Sequence, residues 1–247
     1  MLRSNILIRY CGFLLFIFIF LFYLKTLAPT VVWGDSARLA RSSYLLGLDY
    51  DPNNHPLRVL FGYIFNLIPF GDIAWRQNLM SAFFGSCTVL LLYLSVFRLT
   101  KSHFASFLAG LSFGISHIFW LLSVICENYT LLAFFLILLI FILLKWQDKK
   151  EKWMLFLFFF LAGLSISNNA IILLFMPVFV WYIFSSRQGR QGLLKKDFIF
   201  ILIAFLSGMS IIFLLIFLKR HAFSVIIYRL FSNPFKHYIS LFKIIPE

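Results

Sequence analysis

Apolar residues in this chain come in long blocks separated by short polar stretches. A helix that crosses the hydrocarbon layer needs about 20 mainly apolar residues. By that measure the blocks predict seven spans, over roughly 6–27, 77–98, 104–124, 129–145, 153–168, 170–185 and 198–218. The fifth and sixth are short and are joined by Ser165, Ile166, Ser167, Asn168 and Asn169, a pattern that predicts a tight helical hairpin. The run at 57–70 is shorter still, carries Arg58 and Asn66 and reaches Pro69, and it predicts an interfacial or re-entrant helix. The first block is too long for the apolar core of a secretory signal, and no small-x-small cleavage site follows it, so it reads as a retained span.

Composition agrees with that reading. Hydrophobic residues make up 62% of the chain, charged residues 13%, and the mean hydropathy is +0.94. A soluble domain carries about a quarter charged residues. The expected class is an all-α polytopic membrane protein, with a transmembrane module over 1–218 and a basic, aromatic tail over 219–247. The net charge of +13 lies between apolar blocks, which makes it a topology and lipid-headgroup signal and argues against a nucleic-acid partner. Cys11, Cys87 and Cys126 show no pairing or ligand spacing and read as packing thiols.

Lys and Arg placement orients the bundle. With the N-terminus in the cytoplasm, Arg3, Arg9, Arg98, Lys101, Lys145, Lys149, Lys150, Lys152, Arg187, Arg190, Lys195 and Lys196 share the inner side. The compact turns around Glu127 and Asn168 then lie outside and hold no Lys or Arg. A multi-pass protein of a bacterial inner membrane is the expected setting.

The long polar segment at 28–76 carries the chemistry. The chain has nine acidic residues in 247, so a carboxylate beside a membrane face is a chemical candidate. Asp35 is one. It stands at the start of a helix expected to reach about Gly47, either as a reactive base or as an N-cap. On that helix Ala37, Ala40, Tyr44 and Leu48 share one side, and Asp35, Arg38 and Ser42 the other. Asp49, Asp51 and His55 suit either a divalent cation or a solvated, proline-punctuated turn. Trp75 and Arg76 suit either an interfacial anchor or a ligand contact. Glu127, between two strongly apolar helices, is expensive to leave unpaired and points to a pocket. The Asn128-Tyr129-Thr130 acceptor pattern abuts a helix and reads as accidental.

Four stretches then form a recognisable series: TLAPTVVWGDSARLARSSYLLGL, GDIAWRQNLMSAFFGSCTVLLLYLSVFRLT, ICENYTLLAFFLILL and LAGLSISNNAIILLFMPVF. In order and spacing they resemble a family of bacterial and animal membrane proteins related to protein O-mannosyltransferases, within the GT-C glycosyltransferase superfamily. The resemblance covers about residues 25–182. It implies a bundle with an outward-facing site that takes a sugar from a polyprenyl-phosphate carrier and passes it to an acceptor, with the base at Asp35 and the paired glutamate at Glu127. The sequence departs from the family pattern in three places. Asp-Ser-Gly-Glu becomes Asp35-Ser36-Ala37-Arg38, a His-Pro-Pro-Gly-like stretch becomes Asp51-Pro52-Asn53-Asn54, and an Asn-His pair becomes Asn168-Asn169. Relatives usually continue past the seventh span, so the chain reads as a minimal, split or truncated version.

An inverting displacement needs cations opposite the base to receive the phosphate leaving group. Arg38, Arg58, Arg76, Lys219 and Arg220 are the candidates, the last two beside His221. The expected partners are the sugar donor, membrane lipids and a protein or glycan acceptor, and no cofactor is required unless a divalent cation serves. A non-catalytic GT-C-like scaffold and a lipid-linked-sugar transporter are the rival classes.

Overall fold

The computed structural model describes residues 2–47, 55–149, 151–186 and 195–218. Among them there are helices and no strands. In chain order they are α1 (Leu2–Lys25), α2 (Ser36–Tyr44), α3 (Pro56–Asn66), α4 (Ile73–Thr100), α5 (His103–Gly114), α6 (His117–Val124), α7 (Tyr129–Lys149) and α8 (Lys152–Ile166). A 3₁₀ turn (Ala170–Phe175), α9 (Met176–Ser185) and α10 (Lys195–Leu218) follow. Two helices, Ile73–Thr100 and Tyr129–Lys149, are long and apolar enough to cross a membrane. The α5–α6 pair makes a third if counted as one broken span. Lys152–Ile166 and Ala170–Ser185 are shorter apolar helices.

The break corrects the expectation of one continuous helix over 104–124. It falls at Ile115 and Ser116 and bends the pair by 62°. A contact distant in sequence meets it. The Tyr23 hydroxyl donates to the Gly114 carbonyl at 2.7 Å, giving the last turn of α5 a partner outside the helix. A Cβ at Gly114 would lie 2.9 Å from Ile19, so α1 approaches α5 closely only because that residue is glycine.

Helix ends are set by specific side chains. The Asp72 carboxylate accepts from the Trp75 backbone N–H at 2.7 Å and starts α4. Ser102 does the same for α5 through Ala105, and Asn169 starts the 3₁₀ turn through Ile171. Ser167, Asn168 and Asn169 reverse the chain, and Phe158 of α8 meets Phe179 of α9 with ring centroids 5.5 Å apart, as the expected hairpin requires.

The central helix is α4. It packs with α1, α5 and α6 around Leu15, Ile19, Val89 and Tyr93, and with α3 and α7 around Leu57, Met80, Phe84 and Phe135. A third apolar cluster joins α7, α8 and α9 around Leu139, Phe158 and Ile183. α10 lies against α8 backbone to backbone: a Cβ at Gly163 would meet the Phe205 carbonyl at 2.1 Å, and one at Gly208 the Phe160 carbonyl at 2.0 Å. Small residues permit such approach where lipid offers no hydrophobic drive for pairing.

Polar groups collect at the two ends of α4. Arg98 pairs with Asp148 at 2.5 Å, and Lys152 pairs with Asp197 at 2.6 Å nearby. At the other end Gln77 and Asn78 face the 28–66 segment. Helical rise along α4 separates Gln77 from Arg98 by about 30 Å, which matches the thickness of a hydrocarbon layer.

Candidate active site

The Gln77 end of the bundle brings together Asp35, Arg38, His55, Arg58 and Glu127. Gly34 makes the turn into α2 with a left-handed φ of 72°, a conformation that favours glycine. A Cβ there would lie 3.5 Å from Glu127 Oε1, so this turn rests against the glutamate. Asp35 follows as the residue preceding α2, but its side chain makes no capping bond. Its carboxylate instead pairs with Arg38, Nη2 to Oδ2 at 2.9 Å, and remains 57% exposed. The alternative of a side-chain N-cap therefore has no counterpart in the geometry.

α2 is docked by hydrogen bonds as well as by Leu39 and Ala40, which pack with Cys126 and Ile73. The Ser36 hydroxyl donates to the Cys126 carbonyl at 3.1 Å, and the Cys126 thiol donates to the Ser36 carbonyl at 3.3 Å. Ser36, Leu39, Ala40, Ser42 and Ser43 are buried, while Ala37 and Tyr44 are exposed. Ala37 and Tyr44 lie on the side expected to be apolar, and Ser36 and Ser43 face inward to buried polar partners that a helical wheel does not register.

Each residue of the reciprocal pair has a carboxylate next to it in the chain: Asp35 beside Ser36, Glu127 beside Cys126. Glu127 is buried, and its backbone is tied to Ser81 of α4 by bonds of 3.4 Å in both directions. Burial pushes its carboxyl above the ordinary range, and the charge of Asp35 adds to this. Arg58, the Asn128 backbone N–H and Arg38 oppose the shift. An exposed carboxylate and a buried one of raised affinity for protons therefore share one electrostatic environment.

Arg58 starts from the first turn of α3 and is fully buried, which places it away from any phosphate at the surface. Nη1 donates to Ser43 Oγ at 2.6 Å, Gln77 Oε1 at 2.8 Å and the Leu39 carbonyl at 3.3 Å, and Nη2 to Cys126 Sγ at 2.8 Å. Arg76 is also engaged by protein. Its guanidinium donates to the carbonyls of Asn66, Phe70 and Gly71 and staples the turn between α3 and α4, while Trp75 covers Gly71. Lys219, Arg220, Asp49 and Asp51 lie outside the described residues.

His55 connects three segments. Nε2 accepts from Asn128 Nδ2 at 2.6 Å, and Nδ1 donates to the Asn168 carbonyl. That pairing needs a neutral ring, and burial, with Arg38 and Arg58, holds the imidazole below its ordinary pKa against the Asn168 bond and the Asp35 charge. Both ring nitrogens are engaged, so His55 has no lone pair free for a cation, and no cluster of three His, Cys, Asp or Glu able to hold a metal occurs among the described residues. Asn128 is buried and bonded to His55, which closes its amide to glycosylation. Cys126 and the His55–Asn128–Asn168 chain were not visible as a unit in the sequence, where their only signal was proximity to Glu127 and to the Asn168-Asn169 departure.

Apolar helices around a carboxylate-bearing polar end define a helical membrane protein with a candidate site at one face. The family described as the protein O-mannosyl-transferase TMEM260 N-terminal domain matches residues 35–192, and the chain belongs to that family. Among curated relatives, the protein O-mannosyl-transferase TMEM260 of Mus musculus is 29% identical over 171 residues, covering 67% of this chain and 24% of its own length. The Dictyostelium discoideum protein O-mannosyl-transferase tmem260 is 25% identical over 234 residues, covering 87% of this chain and 28% of its own. The chain thus spans about a quarter of the length of these relatives. No solved structure matches. Asp35 is the first residue of the family match, and Glu127 lies well inside it.

Proposed function

We propose that this chain forms the site-bearing module of a membrane glycosyltransferase that moves a sugar, mannose in the first instance, from a polyprenyl-phosphate carrier to an acceptor hydroxyl on a protein or glycan. The observation that carries the reading is the pairing of exposed Asp35 with buried Glu127 at one end of the bundle, against the family background. In the reaction the acceptor oxygen attacks the anomeric carbon, and the bond from that carbon to the carrier phosphate breaks. The acceptor proton passes to Asp35, polyprenyl phosphate leaves as the anion, and the configuration inverts. Glu127, buried against the Gly34–Asp35 turn, bonds sugar hydroxyls.

Arg38 neutralises Asp35 at rest and is the nearest described cation for the leaving phosphate. Lys219 and Arg220 remain candidates for the same role. The seven-span arrangement with the N-terminus inside and Asp35 outside fits the separation of this end from the Arg98 and Lys152 pairs. A carrier lipid would keep its tail in the bilayer and its headgroup at this depth.

The ion pair between Asp35 and Arg38 also supports a second reading, in which the module binds the carrier without reacting. Purified full-length chain supplied with polyprenyl-phosphate mannose and acceptor separates the two. Transfer that Asp35→Asn abolishes supports the enzyme. Carrier binding without transfer, unaffected by Asp35→Asn, assigns the scaffold.

A further inference from the structure

We propose that Arg58 is a positioning residue: a permanently buried cation that registers the Asp35 turn against the Glu127 loop and serves as the internal counter-charge of Glu127, out of reach of substrate. The inference rests on the glycosyl-transfer reading for its kinetic consequence, but not for its structural one.

The geometry is unusual for an arginine. Its side chain is 0% exposed, and its four hydrogen bonds go to a carbonyl, a hydroxyl, an amide oxygen and a thiol, with no carboxylate among them. Nε has no partner among the described residues. An arginine keeps its charge under any condition a protein survives, and a buried charge is costly unless something compensates it. Nη2 contacts Cys126 Sγ, and the next residue in the chain is Glu127, which no cation touches in an ion pair among the described residues. Arg58 and Glu127 are therefore buried neighbours whose charges act on each other without a closed salt bridge among the described residues.

The surrounding residues are arranged to keep the guanidinium there. A Cβ at Gly62 would sit 2.3 Å from Ser43 Oγ and 2.5 Å from Gln77 Oε1, so glycine is what lets both acceptors reach Arg58 past α3. Gln77 is in turn oriented by donating to the Gly62 carbonyl at 2.8 Å and to Asn66 Oδ1 at 2.9 Å. Through Leu39 and Ser43 the arginine grips α2, through Gln77 it grips α4, and through Cys126 it grips the loop that carries Glu127. Cys126 and Ser36 then close the circle with their reciprocal bonds. Asp35 and Glu127 are each one residue from this circle, which is how a side chain that meets no substrate fixes their spacing.

The test is a double-variant cycle on the full chain in detergent, read as the midpoint of thermal unfolding at neutral pH. Glu127→Gln is introduced into wild type and into Arg58→Gln. The counter-charge role predicts that Glu127→Gln raises the midpoint by more in the Arg58→Gln background, because there the carboxylate is buried without its cation. Where Arg58→Gln alone does not accumulate, recovery of folded protein by the double variant is the same result. An equal gain in both backgrounds, or a double variant that stays unfolded, overturns the proposal. Arg58→Lys, which keeps the charge and loses the fork, supplies the kinetic arm: kcat falls while KM for polyprenyl-phosphate mannose stays within about twofold of wild type. A rise in KM with kcat unchanged would make Arg58 a phosphate contact and also overturn it. Failure of the enzyme reading shows up separately, as full transfer activity in Asp35→Asn, and leaves the unfolding cycle standing.

Discussion

The two polar ends of the bundle handle charge in opposite ways. At the Arg98 end, Asp148 and Asp197 each have a cation within hydrogen-bond distance, and the buried Asp197 is met by Lys152. At the Asp35 end, among the described residues, Glu127 is buried without an ion pair and Arg58 is buried without a carboxylate partner. Direct pairing lowers the cost of a buried charge. A buried carboxylate left short of full compensation costs stability that a purely structural end has no reason to give up.

Variants at the two ends sharpen this contrast. Lys152→Ala removes the cation that meets the buried Asp197 carboxylate, and the expected loss is about 1–3 kcal/mol, the cost of taking one partner from a buried acceptor. Thermal unfolding of the variant in detergent measures it, and no loss would mean that the Arg98 end is not held by its pairs. Glu127→Gln should move stability the other way. Its folded carboxyl holds the proton above the ordinary glutamate value of about 4.3, so on raising the pH the unfolded chain ionises first and wild-type stability falls. The variant escapes that penalty. Its unfolding midpoint should exceed that of wild type at neutral pH, and the difference should vanish below the ordinary glutamate pKa. A midpoint that drops at neutral pH would show Glu127 already compensated. Arg38→Ala has the smallest expected effect, because its pair with Asp35 is solvent-exposed on the aspartate side. A change of under about 1 kcal/mol is expected, and a larger one would make that pair structural.

The sequence carried much of this. Apolar blocks located the helices, and the scarcity of acids marked Asp35 and Glu127 before any geometry was known. Arg58 and Arg76 were legible as cations near the site but not in their roles. A charge beside an apolar block looks the same whether it faces a phosphate or donates inward, and only the fold brings Leu39, Ser43, Gln77 and Cys126 around Arg58. Arg76 is similarly decided by three backbone carbonyls, which have no sequence signature. The inward bonds of α2 were not legible for a related reason. Ser36 and Ser43 count as polar in any hydrophobic pattern, yet each satisfies its hydroxyl inside the protein. The α5–α6 break depends on the Tyr23 hydroxyl, 91 residues from the carbonyl it bonds.

Sugar transfer from polyprenyl-phosphate mannose, measured for Asp35→Asn and Asp148→Asn beside wild type, compares the two ends directly. Both substitutions remove one carboxylate charge from an exposed aspartate paired with an arginine. If Asp35 is the base, Asp35→Asn lowers the rate by about 10²–10⁴ with little change in the unfolding midpoint, while Asp148→Asn transfers at close to the wild-type rate. Near wild-type transfer by Asp35→Asn, or an equal loss in both variants, would contradict the assignment of the chemistry to the Asp35 end.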